Sequence, residues 1–589
     1  MMIALLLAAA MAAAAAPAKG ADPAWLTRAE RTNYAETARY EETLEYSRRL
    51  DHASDWIRTT RIGVSPEGRD LILVIASKRK LFTPEAALRS GLPVVLIQAG
   101  IHAGEIEGKD AGLMLLRDVA IARTEEALLD GATVLFLPIY NVDGHERFGP
   151  HNRINQKGPV EMGWRTTSRN LNLNRDFMKA ETVETRAWLE LFTSWWPDLT
   201  VDCHTTDGHD FQYEVTYIYD AGPNVPEPVA VWIDRAMRER VAPAVERSGH
   251  PVGPYLSLVD ATDPSKGVDD EGVSRPMFSS GYTVLQNRPS LVVEAHSLKD
   301  YRARVLSTYQ MLRAVMREVN RDPSGLREAV RQSEAIAARP GSVPLRFDKP
   351  STPRQTVIKG VAYHREPSEI SGTDRIVYGS EPKDWVVSWP VGPQVSVAVD
   401  KPKAYVIPAP FTETIETLAR HGLRLLRLPE AATLEVEEYR LTEPSWAATP
   451  FEGHHAVTFK TTRLAPRSRS YPPGSVLVPM DQPGAAVAVH LLEPQSADSL
   501  VAWGFFDAIF ERKEYAENYV LEAMAREMLQ KDPGLRAEFD KALADPAFAA
   551  DPRKRLGFFY DRSPYVDERI GLYPVARLTG ELPVEVEPR

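Results

Sequence analysis

The stretch "LPVVLIQAGIHAGEIEGKDAGLMLLRDVAIA", residues 92–122, joins an apolar run to a helical pattern through a short polar turn. The run before Gly100 is short and rich in β-branched residues, which is typical of a strand buried on both faces. In the pattern that follows, Ala111, Leu115 and Val119 fall on one face of a helix. A buried strand followed by an amphipathic helix predicts one unit of an α/β sheet.

Four other short runs are, like this strand, rich in apolar and β-branched residues. They are "RDLILVIAS" (69–77), "ATVLFLPIYN" (132–141), "PDLTVDCHT" (197–205) and "PSLVVEAHS" (289–297). Helical patterns lie between several of them, for example "ETRAWLELFTSWW" (184–196) before Pro197. The alternation predicts an α/β domain with a mainly parallel mixed sheet and flanking helices.

The chain length of 589 residues predicts more than one domain, because single cores stop growing at about 250–300 residues. The Pro-rich stretch 338–355, "ARPGSVPLRFDKPSTPRQ", has the composition of a linker. We therefore predict a catalytic domain over residues 19–339 and an accessory α/β region over residues 340–589. No chemical motif stands out in the second region.

The N-terminus predicts a secretory signal peptide over residues 1–18, with an apolar stretch up to Ala16 and a small-x-small pattern at Ala16-Pro17-Ala18. We expect the mature protein to be secreted or periplasmic and not to enter the membrane. The net charge of −11 argues against nucleic acid as a partner, since binding phosphates requires a basic excess.

Ionisable residues follow several of the predicted strands directly. His102 and Glu105 follow the run at 92–100, His204 follows the run at 197–203, and Glu294 closes the run at 289–294. In open α/β sheets, ligands bind at the carboxyl ends of the strands. Two histidines and one glutamate form a ligand set that suits hydrolytic zinc, which keeps its fourth position for water.

The ordered motifs "HAGE", "NVDG", "GWRTTSRNLNLNRDF", "DCH" and "LVVEAH" resemble those of the M14, or carboxypeptidase A-like, zinc carboxypeptidases. The resemblance covers residues from about 60 to 310. That family has H-x-x-E, N-P-D-G, a W-R pair, an N-R pair, a ligand histidine and a catalytic glutamate in this order. Val142 replaces the proline of N-P-D-G.

The resemblance implies a role for each matching residue. It implies one zinc ion bound by His102, Glu105 and His204, Glu294 as the general base and Arg165 as the residue that stabilises the oxyanion. It implies that Asn174 and Arg175 bind the C-terminal carboxylate of a peptide substrate. The family also uses a mobile tyrosine before the catalytic glutamate, and Tyr282, twelve residues before Glu294, is the candidate.

The chemistry of these residue types agrees with the implied roles. Zinc acidifies a bound water, a carboxylate transfers the proton, and an arginine stabilises the oxyanion. A secreted metallocarboxypeptidase is therefore the leading interpretation. Two alternatives stay open: a zinc amidohydrolase acting on cell-wall peptides or N-acyl amino acids, and a non-catalytic peptide-binding protein on a peptidase scaffold.

Overall fold

The structure is a computed structural model that describes residues 22–206, 208–269, 272–349, 353–582 and 587–588. The predicted signal peptide, residues 1–18, lies outside this range. No helix among the described residues is both long enough and apolar enough to cross a bilayer.

An eight-stranded sheet forms the centre of the first part of the chain, in the order β1-β2-β4-β3-β5-β8-β6-β7. Its strands are β1 (Ile57–Val64), β2 (Asp70–Ala76), β3 (Val94–Ala99), β4 (Thr133–Leu137), β5 (Leu199–Thr205), β6 (Val215–Ile218), β7 (Val252–Pro254) and β8 (Ser290–Ala295). The central pairs β4-β3, β3-β5 and β5-β8 are parallel, and so is the edge pair β6-β7. The prediction of a mainly parallel mixed sheet is confirmed.

Helices cover both faces of this sheet. They are α1 (Arg28–Arg31), α2 (Tyr40–Ala53), α3 (Pro84–Ser90), α4 (Glu107–Ala120), α5 (Val142–Glu146), α6 (Val183–Trp195), α7 (Glu227–Arg235), α8 (Ala242–Arg247), α9 (Ser279–Leu285), α10 (Tyr301–Arg321) and α11 (Pro323–Ala337). Local sequence sets several of their ends. For example, the Thr182 hydroxyl caps α6, and Trp196 ends that helix in the left-handed conformation before Pro197.

Helix α4 packs unusually close to the sheet because it carries two glycines on the packed face. A Cβ on Gly108 would lie 2.3 Å from Cys203 Cβ, and one on Gly112 would lie 2.2 Å from the Phe136 ring. Such distances are too short for any side chain, so glycine is required at both positions. The close approach fixes the start of α4 against β5, the strand that carries His204.

The remaining strands lie after Arg339, and so do six further helices. The strands are β9 (Ser342–Asp348), β10 (Arg354–Pro367), β11 (Asp374–Trp389), β12 (Gln394–Asp400), β13 (Ala404–Ile407), β14 (Leu426–Arg427), β15 (Ala432–Glu437), β16 (Tyr439–Trp446), β17 (Val457–Arg463), β18 (Arg467–Tyr471), β19 (Val476–Pro479), β20 (Ala576–Leu578) and β21 (Glu587–Pro588). The helices are α12 (Thr412–Arg420), α13 (Ala485–Leu492), α14 (Asn518–Lys531), α15 (Pro533–Ala542), α16 (Pro546–Ala549) and α17 (Pro552–Tyr560).

Seven of these strands form a second sheet in the order β18-β15-β20-β13-β19-β14-β21, and every pair in it is antiparallel. The predicted strand, helix and strand over residues 402–430 correspond to β13, α12 and β14. Part of the predicted linker is instead strand β9, which pairs antiparallel with β12. The expectation of a linker was therefore wrong for residues 342–348.

A long two-stranded hairpin of β10 and β11 packs with its base against the loop that follows β5. Phe211 of this loop forms a β-bridge with Gly360 of β10, and Trp385 of β11 is buried with Phe211 in one apolar cluster. The hairpin places part of the accessory region directly beside the chain that continues from His204.

One large apolar cluster contains residues from both sides of the predicted boundary. Its members include Leu71, Trp188 and Tyr282 from the first part and Tyr405 and Val489 from the second. The division at residue 339 remains a prediction, since the two sheets are separate but their cores are continuous.

Candidate metal centre

The candidate ligands lie at the carboxyl ends of neighbouring parallel strands. Strand β3 ends at Ala99, and a turn with Gly100 at φ +66° leads to His102 and Glu105 before α4 begins. The next strand in the sheet, β5, carries His204 near its end, and all three side chains are almost fully buried. The topology therefore brings together the three residues that the sequence predicts as metal ligands.

Three ligand-type atoms converge at this edge of the sheet. His102 Nδ1 lies 3.1 Å from Glu105 Oε2 and 3.2 Å from His204 Nδ1, and His204 Nδ1 lies 3.1 Å from Glu105 Oε2. All three fall within the 4.8 Å spacing that one shared ion allows. Zinc bonds of about 2.1 Å in a tetrahedron separate ligand atoms by about 3.4 Å, so the spacing suits zinc.

The outward nitrogens of both imidazoles are held by oxygen atoms. His102 Nε2 lies 3.0 Å from Asn172 Oδ1, and this oxygen also accepts from the Asn174 backbone N–H, which fixes it as an acceptor. His204 Nε2 lies 2.9 Å from the carboxylate oxygen Asp202 Oδ2. Each Nε2 is therefore a hydrogen-bond donor, and the two Nδ1 atoms face one another. Together with Glu105 Oε2 they form a donor set that a divalent cation satisfies.

Glu105 uses its second oxygen, Oε1, to bind two arginines. Arg153 Nη2 lies 2.7 Å away and Arg165 Nη1 lies 3.2 Å away. The backbone N–H of Thr205 donates to Oε2 at 3.1 Å. These contacts orient the carboxylate so that Oε2 faces the two histidines.

The electrostatics of the cluster favour a carboxylate ligand and a neutral His102. Burial lowers the pKa of His102 to about 4. Burial opposes ionisation of Glu105, but His102 and Arg153 outweigh it, and the pKa of Glu105 lies well below its ordinary value. Burial also opposes protonation of His204, but the Asp202 carboxylate outweighs it and raises the pKa of His204.

Glu294, the predicted base, stands beside His204. The two residues are register partners on the parallel strands β5 and β8, so their side chains leave the same face of the sheet. Glu294 as a whole is half-buried, and its carboxyl oxygen Oε2 is buried. The structure thus places a carboxylic acid next to the candidate metal ligands.

Arg165 lies in the segment that follows α5 and borders the ligand set. Its guanidinium contacts Glu105, and the side chain is 33% exposed, so it remains accessible from solvent. Asn141 of the NVDG motif holds this segment, because its amide donates to the Arg165 carbonyl at 3.3 Å.

Asn174 and Arg175 lie in a short 3₁₀ turn, Leu173–Arg175, that follows Asn172. Asn174 Oδ1 accepts from the Ser279 backbone N–H at 2.9 Å. Arg175 donates to the Asn174 carbonyl at 2.7 Å, and its guanidinium lies 4.4 Å from the centre of the Phe278 ring. Both residues therefore belong to the same turn as Asn172, the residue that contacts His102.

Tyr282 does not border the site, and the prediction that it binds substrate is corrected here. It is 0% exposed within α9 and packs against Phe177 and Trp188. Its hydroxyl is bonded to Gln286 Nε2 and to His421 Nδ1, and burial raises its pKa. A side chain held in the core by these contacts cannot move over a substrate.

Sequence reasoning missed Asn172 and Arg153 as residues that hold the ligands. Asn172 lies two residues before Asn174, so the motif "NLNLNRDF" contained it. Arg153 lies between the NVDG and GWR motifs, where no pattern singles it out. A third omission, Glu452, accepts from the Asn172 backbone N–H at 2.8 Å.

Comparison with known proteins supports this interpretation of the motifs. The family described as zinc carboxypeptidase matches residues 44–207, a segment with all three candidate ligands, Arg165, Asn174 and Arg175. Carboxypeptidase 2 of Trichophyton rubrum is 26% identical over 476 residues, which cover 77% of this chain and 81% of that protein. Carboxypeptidase 2 of Trichophyton equinum is 25% identical over 468 residues, covering 75% of this chain and 78% of that protein.

Among solved structures, carboxypeptidase A from Helicoverpa armigera aligns with a TM-score of 0.36 and 17% identity, covering 50% of this chain and 74% of that chain. The matched segment and the ordered motifs confirm the resemblance that the sequence indicated. Residues 44–207 of the chain are thus similar to the zinc carboxypeptidase family, and the chain resembles carboxypeptidase 2 over about three quarters of its length.

Proposed function

We propose that this protein is a zinc-dependent carboxypeptidase that hydrolyses the last peptide bond of peptides and releases the C-terminal residue. The observation that carries the proposal is the convergence of His102 Nδ1, His204 Nδ1 and Glu105 Oε2, with Glu294 and Arg165 beside them. These three atoms would hold a zinc ion and would leave a position on it for water or substrate.

When bound, zinc would acidify a water molecule and polarise the scissile carbonyl. Glu294 leaves the same sheet face as His204, which places its carboxylate to take the water proton and pass it to the leaving nitrogen. The partial exposure of Glu294 lets it meet both groups.

Arg165 stabilises the oxyanion of the tetrahedral intermediate. Its guanidinium is anchored beside the ligand set through Glu105 Oε1, yet a third of the side chain is exposed towards incoming substrate. Removing one such donor costs on the order of 3 kcal/mol of transition-state stabilisation. Arg153, which is 9% exposed and lies closer to Glu105, holds that carboxylate when Arg165 turns to the substrate.

Asn174 and Arg175 bind the terminal carboxylate of the substrate. A guanidinium donates two parallel hydrogen bonds to a carboxylate, and the Arg175 guanidinium lies against the Phe278 ring. An endopeptidase has no terminal carboxylate to bind, so this pair favours exopeptidase activity.

We also propose that the protein is exported through its N-terminal signal, which rests on the sequence of residues 1–18 alone. The mass of the protein recovered from the medium or the periplasm checks this. A mature chain that begins near Lys19 is the expected result, and an intact Met1 would contradict it.

Paired peptides that differ only in a free or an amidated C-terminus test the proposed activity. We expect the zinc-loaded enzyme to release the last residue from the free acid and to leave the amide intact. Cleavage of muropeptides or N-acyl amino acids without cleavage of free-acid peptides would favour the amidohydrolase alternative.

Glu294→Gln is the decisive variant, because glutamine keeps the shape of the side chain but cannot accept the water proton. We expect kcat to fall by about 10²–10⁴-fold with zinc binding retained. Glu190→Gln, a change at an exposed position of α6, is the matched control. Zinc and peptide binding without hydrolysis in the unaltered protein would favour the binding-protein alternative.

A further inference from the structure

The chain from Phe451 to His454 forms a two-residue hairpin turn in the accessory region. The backbone N–H of Phe451 donates to the His454 carbonyl at 2.8 Å, and the N–H of His454 donates to the Phe451 carbonyl at 3.0 Å. The two central residues, Glu452 and Gly453, have φ values of +51° and +83°. This is the type I′ arrangement, which requires positive φ at both positions.

Glutamate is a poor choice for the first central position of such a turn. Asparagine, aspartate and glycine are favoured there because they tolerate the left-handed conformation, whereas a long side chain is strained in it. Backbone strain of this kind persists only where the surrounding contacts hold the residue in place. The contacts of the Glu452 carboxylate are the candidates for what holds the residue in this conformation.

That carboxylate is bonded to the segment that holds a candidate zinc ligand. Glu452 Oε2 accepts from the Asn172 backbone N–H at 2.8 Å. Asn172 Oδ1 in turn lies 3.0 Å from His102 Nε2 and accepts from the Asn174 backbone N–H at 2.9 Å. A single residue thus connects Glu452 with the metal centre and with the turn that carries Arg175.

One further contact connects the hairpin turn with the first part of the chain, and another holds it within the accessory region. His454 Nε2 lies 2.7 Å from Glu181 Oε2, and the Phe451 ring stacks on Trp503 at 5.9 Å between centroids. The turn cannot drift away from Asn172 while these contacts persist. The position of the Glu452 carboxylate is therefore set by more than its own hydrogen bond.

We propose that Glu452 is a positioning residue of the metal centre, contributed by the accessory region and acting through Asn172. Its carboxylate fixes the backbone at Asn172, so that Asn172 Oδ1 faces His102 Nε2 and His102 Nδ1 faces the zinc position. This inference rests on the proposed zinc-dependent function. It gives the region after residue 339 a direct part in forming the site.

Glu452→Gly removes the carboxylate but preserves the hairpin turn, because glycine adopts a φ of +51° without strain. The variant therefore tests the carboxylate separately from the turn. We expect the dissociation constant for Zn²⁺, measured by competition with a chromophoric chelator, to rise about tenfold or more. The melting temperature of the metal-free protein should change little, because the relief of backbone strain offsets the loss of the hydrogen bond to Asn172. Glu452→Gln keeps an acceptor oxygen and should recover most of the zinc affinity.

Glu443→Gly is the matched control. Glu443 also has a positive φ, of +53°, but its carboxylate pairs with Lys460 and is 64% exposed. We expect this variant to bind zinc as the unaltered protein does. Equal zinc affinity in Glu452→Gly and the unaltered protein, or equal losses in both glycine variants, would overturn the inference.

The two proposals fail in different ways. An unaltered protein that does not bind zinc contradicts the proposed function itself. An unaltered protein that binds zinc and hydrolyses peptides, with a Glu452→Gly variant that does both equally well, contradicts only the role of Glu452. If Glu452→Gly does not fold, Glu452→Asn replaces it, because asparagine tolerates positive φ and shortens the side chain by one methylene group. A zinc affinity of this variant equal to that of the unaltered protein contradicts the inference.

Discussion

Asp202 Oδ2 lies 2.9 Å from His204 Nε2 on the same strand, β5. Residues two apart in a strand point to the same face, so the carboxylate lies alongside the imidazole that it orients. The same oxygen accepts from the Ser279 hydroxyl at 2.5 Å, which fixes it in turn. The imidazole is thereby held with Nδ1 facing His102 and Glu105, the other two candidate metal ligands.

Replacing this carboxylate should weaken zinc binding. Asp202→Asn removes the negative charge that holds the Nε2 proton, and partners of this kind typically contribute 10–100-fold to metal affinity. We expect an increase of that order in the dissociation constant for Zn²⁺, measured by chelator competition. Ser279→Ala, which leaves the carboxylate in place, should cause a smaller loss, and an unchanged Asp202→Asn affinity would contradict the assignment.

Arg165 should affect turnover far more than metal binding. We expect Arg165→Ala to lower kcat by about 10²–10³-fold, because the oxyanion loses its cationic partner. Steady-state kinetics on a free-acid peptide and the zinc content of the purified variant measure the two effects separately. Arg169→Ala, at an exposed position nearby, is the control, and a kcat equal to that control would remove Arg165 from the mechanism.

Tyr282→Phe tests the correction made from the structure. The change removes a buried hydroxyl bonded to Gln286 and His421, so the free energy of unfolding should fall by about 1 kcal/mol or more. We expect kcat and KM to remain those of the unaltered enzyme. A large fall in kcat without a loss of stability would restore Tyr282 as a residue that contacts substrate.

The metal-free protein should lose stability as the pH falls from about 6.5 to 4. Burial lowers the pKa of His145, His421 and His490 to about 4 each, so between these pH values the unfolded chain binds protons that the folded chain does not. Each such histidine steepens the decline by up to about 1.4 kcal/mol per pH unit. The stability they contribute is complete above pH 6.5 and lost towards pH 4.

Urea unfolding at several pH values in the presence of a chelator measures this decline. His490→Gln removes one of the buried titrating groups and should make the free energy of unfolding fall less steeply with pH. The comparison of the two slopes cancels the carboxyl groups that both proteins share. Identical slopes would mean that His490 is not held neutral in the folded state.

The sequence was sufficient to predict five of the eight strands of the first sheet, which are β2, β3, β4, β5 and β8, and the groups at its edge. Strands β1, β6 and β7 were not predicted. Strands β3, β5 and β8 each contain an apolar run, are buried along almost their whole length and carry an ionisable residue at or just after their end. This pattern predicted that His102, Glu105, His204 and Glu294 lie at one edge of the sheet. The zinc roles implied for these residues remain predictions, as do those of Arg165, Asn174 and Arg175.

Other features depended on contacts that spacing does not encode. Tyr282 was chosen for its position before Glu294 in the sequence, and this spacing does not indicate which way its side chain faces. In the structure every residue of α9 is buried, Tyr282 included. Glu452 and Asn172 are separated by 280 residues, so no local pattern connects them. The hairpin β10-β11 was missed because most of its residues are exposed and its sequence lacks an apolar run.

The apolar cluster shared by the two parts of the chain should keep them associated after proteolytic cleavage and make them unfold together. A protease that cuts at the exposed residues 339–341 breaks one covalent connection but leaves Trp188 and Tyr282 packed with Tyr405 and Val489. The nicked halves should therefore co-migrate under native conditions and melt in a single transition. Expressed alone, either half would present that apolar surface to water and aggregate.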